Sequence, residues 1–376
     1  MHYRKFGNTG VTVSLLGFGS MRLPMEEKNG KGFVKEEAIK IIRTAFENGV
    51  NYIDTAYGYC NGQSEIIVGK ALKGWREKVY LSTKIPVWQI EKTSDYQKFL
   101  EEQLKKLDVD YIDFYHFHGL NEQTFNEKVL RLNLLKEAEN AKQKGLIHHI
   151  SFSFHDKPEI MKKIIDIGSF ETVLCQYNLL DKVNEESICY AHSKGVGVAI
   201  MGPVGGGRLA KSNVLENIFK DASITTPELA LRFVFSNPDV SVALSGMGNM
   251  EMVEENTKTA KIFKFLTKKE KEMLDRFIEN RKKKEEIPCT GCRYCQPCPE
   301  GVVIPEIFQL MNYYKIYGLI DFAKQQYKNI GKNPDDKRKN AFACVECKKC
   351  ENICPQKIKI TDELKKIHEI LADTEI

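Results

Sequence analysis

The sequence lacks the long apolar runs from which membrane-spanning helices are built. No stretch approaches the roughly 20 consecutive apolar residues of a span. Residues 1–6 are not typical of a signal peptide, so we expect a cytoplasmic protein. A strong excess of one charge is also missing, because 56 basic residues oppose 51 acidic ones and leave a net charge of +5. The basic residues are scattered, and this pattern favours a solvated surface over a nucleic-acid partner.

Cysteine is unevenly distributed. Eight of the eleven cysteines follow residue 288. Since no secretion signal is evident, this clustering indicates metal binding and not disulfides. The other three, Cys60, Cys175 and Cys189, are interpreted as single thiols without a catalytic role. We expect Cys175 and Cys189 to be small core residues.

Strand-like and helix-like stretches alternate over residues 15–245. The predicted strands cover 15–19, 51–54, 79–84, 111–118, 148–154, 172–176, 196–201 and 240–245. Such alternation requires a parallel sheet, and eight units close it into a (β/α)8 TIM barrel. A hairpin over residues 4–14 is predicted to close the bottom of this barrel. We assign residues 1–266 to the barrel, 267–287 to a helical linker and 288–376 to a small, mainly α-helical domain.

Three successive predicted strands end on ionisable side chains, Asp54, Lys84 and His118, and Tyr59 lies in the loop after the first of them. Barrels of this kind carry their chemistry at these strand ends. An ammonium near a phenol makes it a better proton donor, an aspartate would hold that ammonium, and a histidine could orient a substrate oxygen. From residues 54–59 alone, a capping aspartate with a surface tyrosine is an equally good interpretation.

The fourth predicted strand carries two histidines on one face. Because side chains alternate along a strand, His116 and His118 point to the same side, with His118 nearer the barrel mouth. We therefore expect His118 to reach a substrate and His116 to be a buried, hydrogen-bonded core residue.

Two glycine-rich loops follow the predicted seventh and eighth strands, where TIM barrels often bind phosphate. Their candidate binding residues are Gly202, Gly205, Gly206, Arg208, Gly246, Met247 and Asn249. Glycines let backbone amides approach an anion, and the second loop opens a helix whose N-terminus favours negative charge.

Taken together, these motifs resemble the catalytic signature of the aldo-keto reductases. The similar segments are Asp54-Thr55-Ala56 with Tyr59, Ser82-Thr83-Lys84, Tyr115-His116-Phe117-His118, Ile150–His155, Gln176-Tyr177-Asn178 and Glu254-Glu255-Asn256. The similarity covers roughly residues 1–265. It implies an oxidoreductase that reduces a small carbonyl compound, or oxidises an alcohol, with Tyr59 as the proton donor. The remaining tail resembles the ferredoxin-like module of one branch of that family.

The resemblance also implies a nicotinamide cofactor, NAD(H) or NADP(H). The contacts so implied are at Gly19, Ser20, Met21, Ser153, Gln176, Met201, Glu255 and Asn256. The sequence departs from the family at Phe154, where an asparagine is usual, and at Met201, where a tyrosine normally stacks on the nicotinamide. Gly246 and Met252 align with basic residues that clamp the 2′-phosphate, so a preference for NADPH is not implied. Flavin mononucleotide stays open as an alternative, because a flavin can join two-electron to one-electron chemistry.

The cysteine spacing resembles that of bacterial two-cluster ferredoxins. The second run is Cys-x2-Cys-x2-Cys-x3-Cys-Pro, in which the fourth cysteine ligates the other cluster, and the first run is one residue shorter. This resemblance implies two 4Fe-4S clusters with crossed ligands, one on Cys289, Cys292, Cys295 and Cys354 and one on Cys344, Cys347, Cys350 and Cys298. A pair of zinc sites is the alternative.

Three functions remain open at this point. The chain could be a redox enzyme whose clusters exchange single electrons with a partner protein. It could instead be an electron-transfer protein whose barrel holds a flavin or has lost hydride chemistry, or the clusters could be purely structural. The complete Asp, Tyr, Lys and His set favours the enzyme, and the incomplete cofactor site leaves room for the second function.

Overall fold

Eight parallel strands close into a barrel, as the alternating pattern predicted. The computed structural model describes residues 1–28, 31–34, 36–205, 224–262, 264–282, 287, 289, 295–332, 336–354 and 356–372. Its strands are β1 (Tyr3–Lys5), β2 (Thr12–Ser14), β3 (Leu16–Gly19), β4 (Met25–Lys28), β5 (Lys31–Val34), β6 (Tyr52–Asp54), β7 (Tyr80–Ile85), β8 (Ile112–Leu120), β9 (Ile147–Phe154), β10 (Thr172–Gln176), β11 (Gly197–Met201) and β12 (Val242–Ser245). The barrel order is β3-β6-β7-β8-β9-β10-β11-β12, and β12 pairs with β3 to close it.

Helices connect the barrel strands on the outside of the sheet. They are α1 (Glu37–Glu47), α2 (Ser64–Leu72), α3 (Asp95–Leu107), α4 (Glu122–Thr124), α5 (Leu134–Gln143), α6 (Pro158–Ile165), α7 (Glu185–Ser193), α8 (Thr226–Phe235) and α9 (Met250–Ile262). In α1 the buried residues recur every three or four positions, which is the stripe of an amphipathic helix: Ala38, Ile41, Ile42, Ala45 and Phe46. In α2 a Cβ atom at Gly69 would lie 2.2 Å from the carbonyl oxygen of Leu107, so only glycine allows α2 and α3 to pack this closely.

Two local features differ from the sequence prediction. The loop after β3 contains an antiparallel hairpin, β4 with β5, that the pattern did not indicate. The sequence pattern indicates one continuous helix over residues 128–144, whereas the structure has a π-helix, Phe125–Leu130, followed by α5. Asn133 lies between them with φ +53°, a left-handed conformation that cannot continue a right-handed helix.

The hairpin of β1 and β2 closes one end of the barrel. Phe6, in its turn, is fully buried and packs on the rings of Tyr52 and Phe114, with centroids 5.6 and 4.9 Å away. The Arg4 guanidinium donates hydrogen bonds to the carbonyl oxygens of residues 235, 237 and 240, at 2.7, 2.7 and 2.6 Å. The predicted position of this hairpin is therefore correct.

The described chain divides into two compact units, of which the first contains the barrel through residue 266. The second contains α10 (Lys268–Lys282), α11 (Ile304–Tyr317), α12 (Ile320–Asn329), α13 (Lys349–Asn352) and α14 (Ile360–Leu371). Its core is apolar and comes mainly from α11, α12 and α14, with Ile307, Phe308, Ala323, Leu364 and Ile367 buried. Among the described residues, no helix combines the length and the apolar character needed to cross a membrane.

Candidate active site

A buried ion pair joins two neighbouring barrel strands near their C-terminal ends. Nζ of Lys84, on β7, donates hydrogen bonds to Oδ1 of Asp54, the last residue of β6, at 2.5 Å and to the carbonyl oxygen of Thr55 at 2.6 Å. Oγ of Ser82 donates to Oδ2 of Asp54 at 2.8 Å. Asp54 is 3% exposed and Lys84 1%, and a buried charge is tolerated only when it is paired and hydrogen-bonded.

This pair is ionised. Burial alone would lower the pKa of Lys84, but the Asp54 carboxylate raises it above its ordinary value. Burial raises the pKa of Asp54, and the Lys84 ammonium and the Ser82 hydroxyl oppose that rise. Each group therefore favours the charged form of the other, beside the loop that holds Tyr59.

Tyr59 lies beside this ion pair, in the loop that follows β6. Nζ of Lys84 is 4.7 Å from the centroid of the Tyr59 ring. Burial raises the pKa of Tyr59, and the ammonium lowers it by a smaller amount. Lysine thus lowers the pKa of the phenol as expected, but burial raises it by more. The phenol therefore keeps its proton at neutral pH. A proton donor needs that form.

His118 completes the cluster from β8. Its ring lies edge-on to Tyr59, with centroids 6.0 Å apart, and 5.0 Å from the ring of Trp88. Burial, followed by the Lys84 ammonium, lowers the pKa of His118 to about 3. The imidazole is thus neutral at physiological pH and can donate a hydrogen bond without carrying charge. Among the described residues, its Nδ1 is buried without a hydrogen-bond partner.

His116 lies deeper in the barrel, as the strand parity predicted. It is fully buried. The backbone of Phe152 acts on the ring as a hydrogen-bond partner, but neither ring nitrogen reaches a described partner at strict hydrogen-bond geometry. The expected burial is confirmed, and the expected hydrogen bond stays a prediction. Burial lowers its pKa well below the ordinary range.

A second polar layer behind Lys84 was missed by sequence reasoning. Nε2 of Gln103, on α3, donates to Oε1 of Glu65 at 2.5 Å and to the carbonyl oxygen of Lys84 at 3.1 Å. Further bonds to this layer come from the Thr83 hydroxyl, 2.7 Å from Oε1 of Glu65, and from the Tyr115 hydroxyl, 2.7 Å from Oε1 of Gln103. Burial raises the pKa of Glu65. These hydrogen bonds hold the backbone of β7 on the side away from Asp54. In the sequence, the one sign of this layer is that Glu65 and Gln103 are polar at positions of α2 and α3 that are buried.

The residues implied for the nicotinamide lie at the ends of β9, β10 and β11. Oγ of Ser153 accepts a hydrogen bond from the Gly119 amide at 2.7 Å, which leaves its own O–H free to donate. Gly202 has φ +64°, and a Cβ atom there would lie 2.7 Å from Oε1 of Gln176, so this glycine lets the Gln176 side chain rest on the turn. Met201 is half-buried beside it.

The loop after β12 presents glycines and a helix start. Oδ1 of Asn249 accepts the amide of Met252 at 2.9 Å, so Asn249 caps α9. Asn256, on α9, is buried and donates from Nδ2 to Oγ of Ser245 at 3.1 Å. The side-chain stem of Arg22 lies 3.5 to 3.8 Å from the position that a Cβ atom on Gly246 would take. Sequence reasoning missed Arg22, which brings a cation to this loop from the far end of the chain.

The other predicted contacts have mixed surroundings. Ser20 is buried, and its hydroxyl donates to the carbonyl oxygen of Asp54 at 2.8 Å. Gly19 is half-buried on β3 and Met21 is 61% exposed. Met247 and Gly205 are buried, whereas Glu255 is exposed on α9. Gly206 and Arg208 lie outside the described residues.

The three isolated cysteines are placed as follows. Cys175 is buried in β10, as predicted. Cys189 is exposed on α7, so its assignment to the core is wrong, because it falls on the solvent side of that helix. The Cys60 thiol donates to the carbonyl oxygens of Ser20 and Met21 at 3.6 and 3.5 Å, and burial raises its pKa. It therefore stays a protonated thiol.

The two cysteine runs are brought together by the backbone of the second unit. Val302, just after the first run, forms a parallel bridge with Lys339, just before the second. Burial and, to a smaller degree, the neighbouring Cys344 thiol raise the pKa of Cys350 to about 11. Cys292 lies outside the described residues, and among those described no group of three or more side chains is already arranged around a metal position. The donor set itself, four thiols in each run, is the one that iron–sulfur clusters require.

The described chain thus places a lysine–aspartate pair, a tyrosine and a histidine together near the C-terminal ends of the strands of a (β/α)8 barrel. Residues 15–279 match the aldo/keto reductase family, and residues 288–358 match the 4Fe-4S dicluster domain. The chain belongs to the aldo/keto reductase family and carries a C-terminal 4Fe-4S domain.

Similar proteins agree with this assignment. An uncharacterized oxidoreductase, YqkF of Bacillus subtilis, is 26% identical over 296 residues, which cover 69% of this chain and 91% of that protein. An NADH-specific methylglyoxal reductase of Escherichia coli is 28% identical over 302 residues, covering 66% of this chain and 90% of that protein. The holo form of the aldo-keto reductase AKR11C1 from Bacillus halodurans superposes with a TM-score of 0.63 at 26% identity, covering 73% of this chain and 96% of that one.

Proposed function

We propose that the barrel interconverts a small carbonyl compound and its alcohol, with Tyr59 as the proton donor. The observation that carries this proposal is the Lys84 ammonium, held 2.5 Å from Asp54 and 4.7 Å from the Tyr59 ring. A charge fixed in this way needs no rearrangement when a phenolate develops, and such preorganised stabilisation is a major source of rate enhancement.

Each polar group has a distinct task in this scheme. A nicotinamide, when bound, supplies or accepts the hydride. Tyr59 gives its phenolic proton to the carbonyl oxygen, and the Lys84 ammonium stabilises the phenolate that remains. The neutral His118 donates a hydrogen bond to the same oxygen and orients it. In the direction of alcohol oxidation these roles reverse: the Tyr59 phenolate accepts the hydroxyl proton, and an oxidised nicotinamide, when bound, would accept the hydride.

We propose a nicotinamide in preference to flavin mononucleotide. Ser153 keeps an O–H available near the strand ends, and Asn256 is buried in the middle of α9. A flavin would need neither group. The Arg22 guanidinium has no ion pair or hydrogen bond within the described chain, and we assign it to a phosphate of the cofactor. The relative named as NADH-specific is consistent with the absence of basic side chains at Gly246 and Met252.

We further propose that the cysteine runs hold two 4Fe-4S clusters with crossed ligands, and that these clusters relay single electrons to a partner protein. The cysteine spacing, the family match over residues 288–358 and the backbone bridge between the runs support this part of the proposal. Such clusters, when bound, pass one electron at a time.

The test of the barrel chemistry is Tyr59→Phe, with Tyr57→Phe as a matched control from the same loop. Loss of general acid catalysis should lower turnover on a panel of small aldehydes and ketones by about 10²- to 10⁴-fold. Cofactor affinity and iron content should not change. Tyr57, whose hydroxyl donates to the Glu102 carboxylate, should tolerate the same change with little loss. Equal turnover in the two variants would exclude Tyr59 as the proton donor.

A further inference from the structure

One short segment accounts for the net positive charge of this protein. Residues 337–359, which contain the second cysteine run, carry seven basic and two acidic side chains, for a net charge of +5. The whole chain also has a net charge of +5, so the remaining residues contain 49 basic and 49 acidic side chains. We call residues 337–359 the basic segment.

One arginine and one of the two glutamates of this segment are held by neighbouring groups, while the other glutamate is exposed. The Arg338 guanidinium is neutralised by Asp336, 2.8 Å away, and by Glu306, 3.1 Å away. The Glu351 carboxylate turns toward the start of α14, where it accepts the amide and the hydroxyl of Thr361 at 2.8 and 2.6 Å. Glu346 is the one acidic side chain left exposed in the segment.

The lysines, by contrast, are available to a partner. All six are exposed, and none forms an ion pair within the described part of the chain: Lys337, Lys339, Lys348, Lys349, Lys357 and Lys359. Unpaired surface charge of one sign steers an oppositely charged protein into contact and can raise the association rate by a factor of roughly 10 to 10³.

Three apolar side chains stand among these lysines. Phe342 is 80% exposed, Val345 62% and Ile353 54%, and Phe342 has the highest exposure of any large hydrophobic residue in the described chain. They alternate with the cysteines at 344, 347, 350 and 354, of which Cys347 is itself exposed. Exposed apolar side chains accompanied by polar ones are the usual composition of a protein–protein interface. Here these side chains lie in the same segment as the thiols that would hold the second cluster.

We propose that the basic segment is the docking surface for an acidic one-electron carrier protein. The inference rests on the proposed relay function of the clusters. A 4Fe-4S cluster held mainly by the second cysteine run would exchange one electron with the carrier in each encounter, so that one partner is oxidised as the other is reduced. A second copy of this chain would present the same positive charge and would be repelled. A nucleic acid would find lysines but would have no use for a redox site between them.

The test measures binding and electron transfer separately on the anaerobic holoprotein. The probe is an acidic plant-type 2Fe-2S ferredoxin, and cytochrome c serves as a basic carrier of opposite charge. Calorimetry gives the affinity for the oxidised ferredoxin at low and high salt, and stopped-flow absorbance gives the rate at which the reduced ferredoxin reduces the holoprotein. We expect ferredoxin to bind at low salt, the affinity to fall as salt is added, and cytochrome c not to bind.

Two charge-reversal variants identify the surface. Lys348→Glu/Lys349→Glu and Lys337→Glu/Lys339→Glu should each weaken ferredoxin binding by about tenfold or more at low salt. The second pair lies outside the cysteine run, so it stays informative if the first disturbs the clusters. The control, Lys268→Glu/Lys269→Glu on α10, makes the same charge change in the same unit and should leave the affinity within about twofold.

Each possible result either supports or overturns the proposal. Ferredoxin binding that weakens in both variants but not in the control supports the proposal. If ferredoxin binds in this way but no electron is transferred, the docking surface stands and only the relay function is refuted. Equal weakening in all three variants would show a general charge effect and overturn the proposal. Unchanged ferredoxin binding in both variants, or a preference for cytochrome c, would also overturn the proposal. So would a DNA oligonucleotide that binds as tightly as ferredoxin and loses its binding in the same two variants.

Discussion

Replacing Lys84 by methionine separates the structural from the catalytic role of the buried pair. The change removes the ammonium that contacts Asp54 at 2.5 Å and leaves a buried carboxylate with Ser82 as its remaining side-chain donor. Breaking a buried pair in this way costs about 3–5 kcal/mol. Replacing both partners, in Asp54→Asn/Lys84→Met, removes the uncompensated charge and should bring the free energy of unfolding back to within about 1–2 kcal/mol of wild type.

Turnover should behave differently from stability. Both variants lack the charge that stabilises the Tyr59 phenolate, so both should lose about a hundredfold or more in turnover on the same substrate. A double variant that regains stability without regaining activity is therefore the expected result. Recovery of turnover in the double variant would refute the role of Lys84 as an electrostatic stabiliser.

The two tryptophans of the chain make the stability measurement specific to the barrel. Trp75 and Trp88 both lie in the first unit, so tryptophan fluorescence, excited selectively, follows the denaturation of that unit alone. Lys73→Met is the matched control, because its ion pair with Asp108 is exposed and should contribute no more than about 1 kcal/mol. Equal destabilisation of the single and double variants would show that the lost stability does not come from a buried charge.

The pH dependence gives an independent check on this reasoning. Burial already raises the pKa of Asp54, and removing Lys84 removes the main opposing influence. A carboxyl whose folded-state pKa lies above its unfolded value of about 3.9 stabilises the folded state at low pH and loses that contribution as pH rises through the folded pKa. The defect of Lys84→Met should therefore shrink on acidification. A defect that grows on acidification would contradict the assignment.

Three further predictions concern the cofactor loops and the clusters. Cys354→Ser should damage the cluster held mainly by the first cysteine run, and spin-resonance spectra that place the damage in the second cluster alone would exclude crossed ligation. Gly202→Ala places a Cβ atom in a left-handed turn and against Gln176, so it should lower the free energy of unfolding by about 1–2 kcal/mol and weaken nicotinamide binding. An unchanged nicotinamide affinity, measured by calorimetry, would rule out a role for this turn. Arg22→Ala should weaken nicotinamide binding by about tenfold through the loss of a charge-assisted bond, and unchanged affinity would refute the phosphate assignment.

The parts of the site that the sequence predicted are those governed by local periodicity. Asp54, Lys84 and His118 end or nearly end strands, and strand ends can be found from short apolar runs. The order of His116 and His118 followed from the alternation of side chains along β8. Because parallel strands in a barrel point the same way, residues at their C-terminal ends come together wherever they lie in the chain.

The parts that could not be predicted depend on contacts between distant, irregular segments. Gln103 reaches Glu65 across 38 residues, and nothing in either helix pattern marks the pair as partners. Arg22 lies against Gly246 because the loop after the first barrel strand meets the loop after the last, and loop conformation is not encoded in periodicity. The interruption at Asn133 depends on one residue in a left-handed conformation, which is a matter of local strain and not of pattern.

The hairpin that closes the barrel has a consequence for biosynthesis. Arg4 is held by carbonyl groups 231 to 236 residues later in the chain. At about 5–20 residues per second, a ribosome needs roughly 12 to 46 seconds to deliver those groups after Arg4 has been made. During this interval the Phe6 side chain, which is fully buried in the finished barrel, lacks part of its packing surface. The nascent hairpin is thus a candidate site for chaperone binding. The hydrogen bonds of Arg4 to residues 235, 237 and 240 form when the barrel is complete.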